Sequence, residues 1–322
     1  MKRRMLATLL LALAIASASE AMADVQLEWV TVGDAPNSPD APNSPGGPIY
    51  GAVDYAYRVG KFEVTNGQYA AFLNAVAKTD TYGLFDTRMG NYGITWSGSS
   101  GSYDYAALPG CADRPVNYID FYDTLRFANW LHNGQPTGLQ DATTTEDGAY
   151  NMSLGSAVVR KTTAQYWLLS ENEWYKAAYY KGGSGNAGYW EYATQSETDP
   201  AAGTPPGGTN SANYASATTG PTVVGAYTSS YSAYGTFDQD GNVWEWNEAL
   251  VGASRGLRGG AWTSSADNLA ATGRNWASPT TGSEFYGFRL GSVVVPEPTS
   301  VAFALCASGA LPFLRRLRRR RS

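Results

Sequence analysis

Sulfur and imidazole are nearly absent from this chain of 322 residues, which holds two cysteines and one histidine. Cys306 lies in an apolar stretch near one end and Cys111 in the body of the chain, so the body can form no internal disulfide and needs a buried core for stability. Abundant Tyr and Trp supply apolar area for that core, with polar tips that need partners. A serine triad lacks a base other than His132, and that residue follows Trp130-Leu131 at a helix end, where the helix dipole favours an imidazole for structural reasons. Basic residues are scarce in the body too. Of 23 Lys and Arg, nine lie outside residues 24–298, against one of 28 Asp and Glu. The remainder carries a net charge of about −13, which disfavours nucleic acid and anionic lipid as partners because both bind through positive charge. No repeat of fixed period is present.

The two ends read as sorting signals. Lys2, Arg3 and Arg4 precede the apolar run Leu6 to Ile15 and the small-x-small sequence Ala21-Met22-Ala23, the pattern of an export signal over 1–23 cut by signal peptidase. The run is too short to span a bilayer as a helix. At the other end Val295-Pro296-Glu297-Pro298 is followed by the mostly apolar Thr299 to Leu314, then by Arg315, Arg316 and Arg318 to Arg321. A run of about 16 residues is near the lower limit for a spanning helix, and the arginines would hold its end on the cytoplasmic side. This segment, 293–322, resembles the PEP-CTERM signal of bacteria that export surface and matrix proteins. The resemblance implies transient anchoring in the inner membrane, cleavage by an exosortase-type peptidase, and a final place at the cell surface or in the extracellular matrix.

Between the ends, residues 24–292 read as one domain. Glu28 to Gly33 is expected to form a first strand, and the Pro, Asn, Ser and Gly-rich stretch 34–48 an exposed loop. Thr65 can cap a helix whose Tyr69, Phe72, Leu73 and Val76 make one apolar stripe. Asp120 can cap a second, with Phe121, Leu125 and Ala128 on a common face before Asn133-Gly134. Ser170 and Glu173 form a capping box over Trp174, Ala177 and Ala178. Long Gly, Ser and Thr-rich connections separate these helices, and Lys181 to Gly225 has little periodicity, so much of the domain is expected to be irregular.

Three blocks near the far end of the domain, GNVWEW, LRGGAW and GFRL, occur in an order and spacing that resemble the sulfatase-modifying factor (formylglycine-generating enzyme) family. Three earlier blocks, YRVGKFEVTNGQYAAFLNAV, RPVNYIDFYDTLRFANWL and LLSENEWYKAAYY, extend the resemblance over almost all of residues 27–291. It implies an α+β, C-type-lectin-like fold. Catalytic members use two cysteines after the RGG motif to bind copper(I) and oxidise a sulfatase cysteine with dioxygen. Those positions fall on Ser264 and Leu269, and neither side chain can replace a soft thiolate. Supporting polar positions fall on Ala261 and Phe285, and Cys111 alone cannot give a ligand pair. Copper is therefore not expected. A second branch of the fold, the sulfoxide synthases, needs several histidines around iron, and His132 stands alone.

The same resemblance implies a structural calcium ion held by Asp238, the carbonyls of Gly241 and Val243, and Glu245. Hard oxygen ligands at both ends of a tight turn suit calcium, although Asp238 could instead accept backbone N–H groups. A second family site would begin at Asn213-Tyr214, yet its downstream acid is missing from Ala217 to Val223. The former catalytic groove offers Trp244, Trp262, Ser264, Asp267, Asn268, Arg274, Asn275 and Trp276, a mixture of aromatic faces and polar groups suited to a glycan or peptide. Some relatives with this fold are ligand-binding proteins that vary their side chains at this position. Arg258 and Arg289 are expected to be buried pairs for acidic residues. The reading is an exported, non-catalytic binding module. The alternatives are a formylglycine-generating oxidase acting on exported sulfatases and a purely structural matrix component.

Overall fold

The computed structural model describes residues 24–41 and 49–295. The export signal, part of the 34–48 loop and the chain from Pro296 onward lie outside the described residues, and so do the readings made for them. Among the described residues no helix is long and apolar enough to cross a membrane.

The elements begin with β1 (Trp29–Val32), β2 (Tyr57–Gly60) and α1 (Asn66–Val76), then β3 (Ile94–Ser97), β4 (Asp104–Ala107) and α2 (Phe121–His132). They continue with β5 (Tyr166–Leu168), α3 (Glu171–Tyr179) and the two-residue β6 (Ala201–Ala202) and β7 (Ser211–Ala212). The last part holds β8 (Trp244–Val251), β9 (Ser254–Arg258), α4 (Ala266–Leu269), β10 (Asn275–Ala277), β11 (Tyr286–Gly287) and β12 (Leu290–Ser292).

Each long helix starts where its sequence provides a reciprocal cap. Thr65 accepts from the Gln68 N–H while Gln68 accepts from that of Thr65, Asp120 and Asp123 do the same for α2, and Ser170 and Glu173 for α3. The stripe of α1 is buried as its spacing requires, with Tyr69, Phe72 and Leu73 fully enclosed. Phe72 and Phe127 meet edge to face, their centroids 5.2 Å apart, which locks α1 against α2. Truncating a ring enclosed in this way costs roughly 3–5 kcal/mol.

Two four-stranded sheets hold the helices. The first has the order β1-β2-β12-β5, all antiparallel, and the second β10-β9-β8-β11, with β11 parallel to β8. One large apolar cluster joins α1, α2, α3 and both sheets. A small satellite cluster consists of Tyr192, Ala212, Tyr214, Leu269 and Ala270. Long stretches between α3 and β8 carry almost no regular structure, as the composition leads one to expect.

Where β8 passes α3 the core encloses charge. Arg160 donates to both oxygens of Glu173, at 3.0 and 3.2 Å, and pairs with Glu248 at 3.0 Å. The Tyr150 hydroxyl donates to Glu248 at 2.6 Å, and Arg255 packs alongside, bonding the Glu248 carbonyl. Burial pushes the Glu248 carboxyl up to about 7; Arg160 opposes this and Glu173 adds to it. The native state therefore holds this proton more tightly than the unfolded chain does. Its contribution is fully present below the unfolded value near 4.5 and is lost as pH rises through about 7. Replacing Glu248 by Gln should remove a slope of up to about 1.4 kcal/mol per pH unit over that window. Urea titrations at a series of pH values would show it, and wild-type and variant curves running parallel would exclude it.

Candidate functional site

The loop leading into β8 puts its acidic groups inside the protein. Glu245, the second residue of β8, is fully buried, and Arg289 donates to it twice, through Nε and Nη2, both at 2.7 Å. The Trp174 indole N–H adds a third bond at 2.7 Å. Arg289 also donates to the carbonyls of Gly60 at 3.1 Å and Phe237 at 2.7 Å, tying the end of β2 to the loop before β8. Asp238 adopts a left-handed conformation, φ 61°, and accepts from the Gly225 N–H at 2.5 Å. Glu63, fully enclosed, accepts from the Asn242 amide at 2.9 Å, and its second oxygen has no hydrogen-bond partner.

Three carboxylates, Glu63, Asp238 and Glu245, thus share one guanidinium. Burial, then the nearby Asp238, pushes the Glu63 carboxyl well above its ordinary value. Burial likewise raises Asp238 to about 6. Excess negative charge among hard oxygens fits a divalent cation such as calcium, although Glu245 is already bonded to Arg289 and Trp174. Among the described residues no group of three or more His, Cys, Asp or Glu side chains is arranged to hold a metal, so backbone carbonyls would have to complete the shell. At Asn213, which the family pattern makes the start of a second calcium site, the amide donates to Gly220 O and lies 3.3 Å from Asn242 Oδ1.

After β9 the RGG turn brings together the two positions where the family resemblance expects thiols. Gly260 has φ 76°, and a Cβ placed on it would lie 2.6 Å from Leu269 Cδ1 and 3.4 Å from Ser264 Cβ. Both side chains therefore converge over Gly260. Ser264 closes the turn, its hydroxyl accepting from the Ala261 N–H at 2.9 Å. Leu269 is fully buried in the satellite cluster, and its carbonyl accepts from the Tyr179 hydroxyl at 2.7 Å. The chain turns back at Gly273, where any Cβ would come within 2.5 Å of Asn268 O.

The residues singled out for ligand binding divide into two groups. Trp262 is half-buried against Phe285, ring centroids 5.8 Å apart, and its indole N–H is buried without an acceptor. Ser264 lies two residues along the same segment, which pairs with Ala215 and Ser216. Asp267 and Asn268 follow on α4, exposed and half-buried respectively, and Asn275 opens the edge strand β10 beside the exposed Trp276. Trp244, in contrast, is buried at the start of β8. Arg274 gives both ends of its guanidinium to Glu171, at 2.8 and 2.7 Å. Glu171 is shared with the buried Arg258, whose Nε reaches it at 2.9 Å and whose Nη1 reaches the carbonyls of Ala271 and Gly273. Tyr50 lies under both guanidiniums, 4.5 Å from Arg258 and 5.6 Å from Arg274.

Glu171, Tyr50, Tyr179 and Glu63 had no signal in the sequence, because each acts through a partner many tens of residues away. The place of His132 at a helix end could be read: it is the last residue of α2, and its ring accepts from the Gln165 N–H through Nδ1 at 3.0 Å. Burial lowers its pKa, with Lys161 adding to the effect.

Residues 46–292 match the family described as the sulfatase-modifying factor enzyme 1-like domain. Hercynine oxygenase of Mycobacterium tuberculosis is 24% identical over 264 residues, covering 73% of this chain and 52% of that protein. The chain thus spans about half the length of this curated relative. Among solved structures, Treponema denticola variable protein 1 is similar with a TM-score of 0.55 and 21% identity, covering 85% of this chain and 97% of that one. CarF is similar with a TM-score of 0.51 and 19% identity, covering 84% and 99%. Both likenesses concern the fold, an α+β, C-type-lectin-like architecture with much irregular structure. With the family model spanning most of its length, this chain belongs to the sulfatase-modifying factor enzyme 1-like domain family.

Proposed function

We propose that the domain is a non-catalytic binding module that recognises a glycan or peptide through the face around Trp262. The observation that carries this reading is the burial of Leu269 in an apolar cluster at the position where the family resemblance expects a copper thiolate. With Ser264 opposite, the pocket has no sulfur to give, and Cys111 is the one cysteine among the described residues. The indole N–H of Trp262, buried without an acceptor, supports a ligand that brings an oxygen to it. Exposed Trp276 and the polar Asp267, Asn268 and Asn275 supply a flat aromatic and amide surface of the kind sugars and peptides use.

Glycan and peptide arrays probed with the purified protein should give saturable binding that Trp262→Ala weakens by ten-fold or more, about 1.4 kcal/mol. Absence of saturable binding would favour a structural matrix component. Formation of an aldehyde on a Cys-containing sulfatase peptide, above the no-protein control, would instead establish the oxidase reading.

Export, processing at both ends and a place at the cell surface or in the matrix belong to the same proposal, supported by the two terminal signals and the acidic body. Intact-mass measurement of the protein recovered from its native cells tests both cleavages. Calcium is proposed as a structural ion, with Asp238, the carbonyls of Gly241 and Val243, and Glu245 as the residues that would hold it. Its support is the surplus of enclosed carboxylate over Arg289. Chelation is expected to lower the melting temperature by several degrees, and added calcium to restore it. A melting curve that ignores both chelator and calcium would eliminate the ion.

A further inference from the structure

A small, partly open cavity of about 10 Å³ is lined by Thr194, Ser230, Ser232, Thr236, Gln239 and Asp240, among others. It has room for one particle the size of a water molecule. Asp240 is only 4% exposed. Its Oδ2 accepts from the Thr194 N–H at 3.0 Å, while Oδ1 is buried with no hydrogen-bond partner. No Lys or Arg among the described residues forms an ion pair with it, and no charged neighbour perturbs it. Asp238 also lines the cavity, but its oxygen is bonded to the Gly225 N–H and its charge faces Arg289.

Two of the hydroxyls lining the cavity with Asp240 have their protons engaged elsewhere. Ser230 Oγ donates to Gly208 O at 2.8 Å and Thr236 Oγ1 to Gln239 Oε1, whereas the Thr194 side chain lies between Asn210 Oδ1 and Asp240 itself. The first two therefore offer a lone pair and no donor. A single unbalanced carboxylate among acceptor oxygens carries a desolvation cost that a water molecule relieves only in part, because water leaves the charge in place. A hard cation of unit charge satisfies the lone pairs and neutralises the carboxylate together.

We propose that this cavity is a monovalent-cation site of sodium size, with Asp240 as its charged ligand, and that the bound ion stabilises the irregular region between α3 and β8. The site does not depend on the binding-module reading; it adjoins the calcium proposed at Asp238 and Glu245 and has Asp240 as a charged ligand of its own. With calcium held constant, exchanging sodium chloride for choline chloride at equal ionic strength should lower the melting temperature by roughly 3 °C. Asp240→Asn should abolish that difference, and calcium chelation should leave it in place. A high-resolution electron-density map of the unmodified protein crystallised in sodium chloride should show a peak in the cavity at metal–oxygen rather than hydrogen-bond distance from Asp240 Oδ1, a measurement that stands even where the variant fails to fold. A melting temperature indifferent to the exchange, a sodium increment that survives Asp240→Asn, or a cavity that is empty or holds only a hydrogen-bonded water in that map would each overturn the proposal.

Discussion

Replacing Arg289 by methionine is expected to cost about 3–5 kcal/mol of unfolding free energy and to lower the melting temperature by about 10 °C. The side chain is fully buried and bonds both oxygens of Glu245, together with the carbonyls of Gly60 and Phe237. Removing it leaves Glu245 and Glu63 enclosed, and Asp238 half-buried beside them, with no basic partner, and that uncompensated charge accounts for most of the loss. Two further results should follow. The double variant Glu245→Gln/Arg289→Met should be less destabilised than the sum of its single changes, since each single change strands the other partner. The methionine variant should also depend more steeply on calcium than the parent. Urea unfolding followed by tryptophan fluorescence measures all three, and a methionine variant within about 1 kcal/mol of the parent would remove Arg289 as the organising cation.

A gain of copper is the second large effect. Ser264 and Leu269 converge over Gly260, so cysteines at both positions should face one another across a glycine that leaves space between them. The unaltered protein is expected to retain no copper(I) under reducing conditions. Ser264→Cys/Leu269→Cys is expected to bind it stoichiometrically, and neither single variant should do so, because cuprous ion is held by paired soft donors. Exchanging the buried Leu269 for a smaller residue should cost about 2–3 kcal/mol, which the core can sustain. Competition with a chromogenic copper(I) chelator is the measurement. Copper retained by the parent as tightly as by the double variant, or a folded double variant without copper, would refute the assignment of this pocket.

The helices could be read from sequence because caps are local. Thr65 with Gln68, Asp120 with Asp123 and Ser170 with Glu173 each complete their bonds within four residues. The sheets were less visible, since most of their strands have only two to five residues and pair across long separations, as Gly291 does with Val59. The site shows the same division. RGGAW and GFRL located the turn and the absent thiols, and Arg258 and Arg289 could be expected to pair with acids. Which acids they pair with depended on the fold. Glu171 reaches Arg258 from the first turn of α3, and by binding Arg274 as well it withdraws a residue that the linear pattern had grouped with the exposed face. Asp238 and Asp240, two residues apart, line one cavity in the folded chain, yet Asp238 is bonded to the Gly225 N–H whereas one oxygen of Asp240 has no partner.

The strand order of the first sheet has a bearing on biogenesis. Its closing member, β12, sits between β2 and β5 and pairs Leu290 with Leu168 and Gly291 with Val59. A chain made from the amino end must hold two strands apart until the final one emerges, so the sheet cannot be completed during most of synthesis. Late closure leaves the first sheet open through most of synthesis and makes the three residues of β12 the latch that completes it.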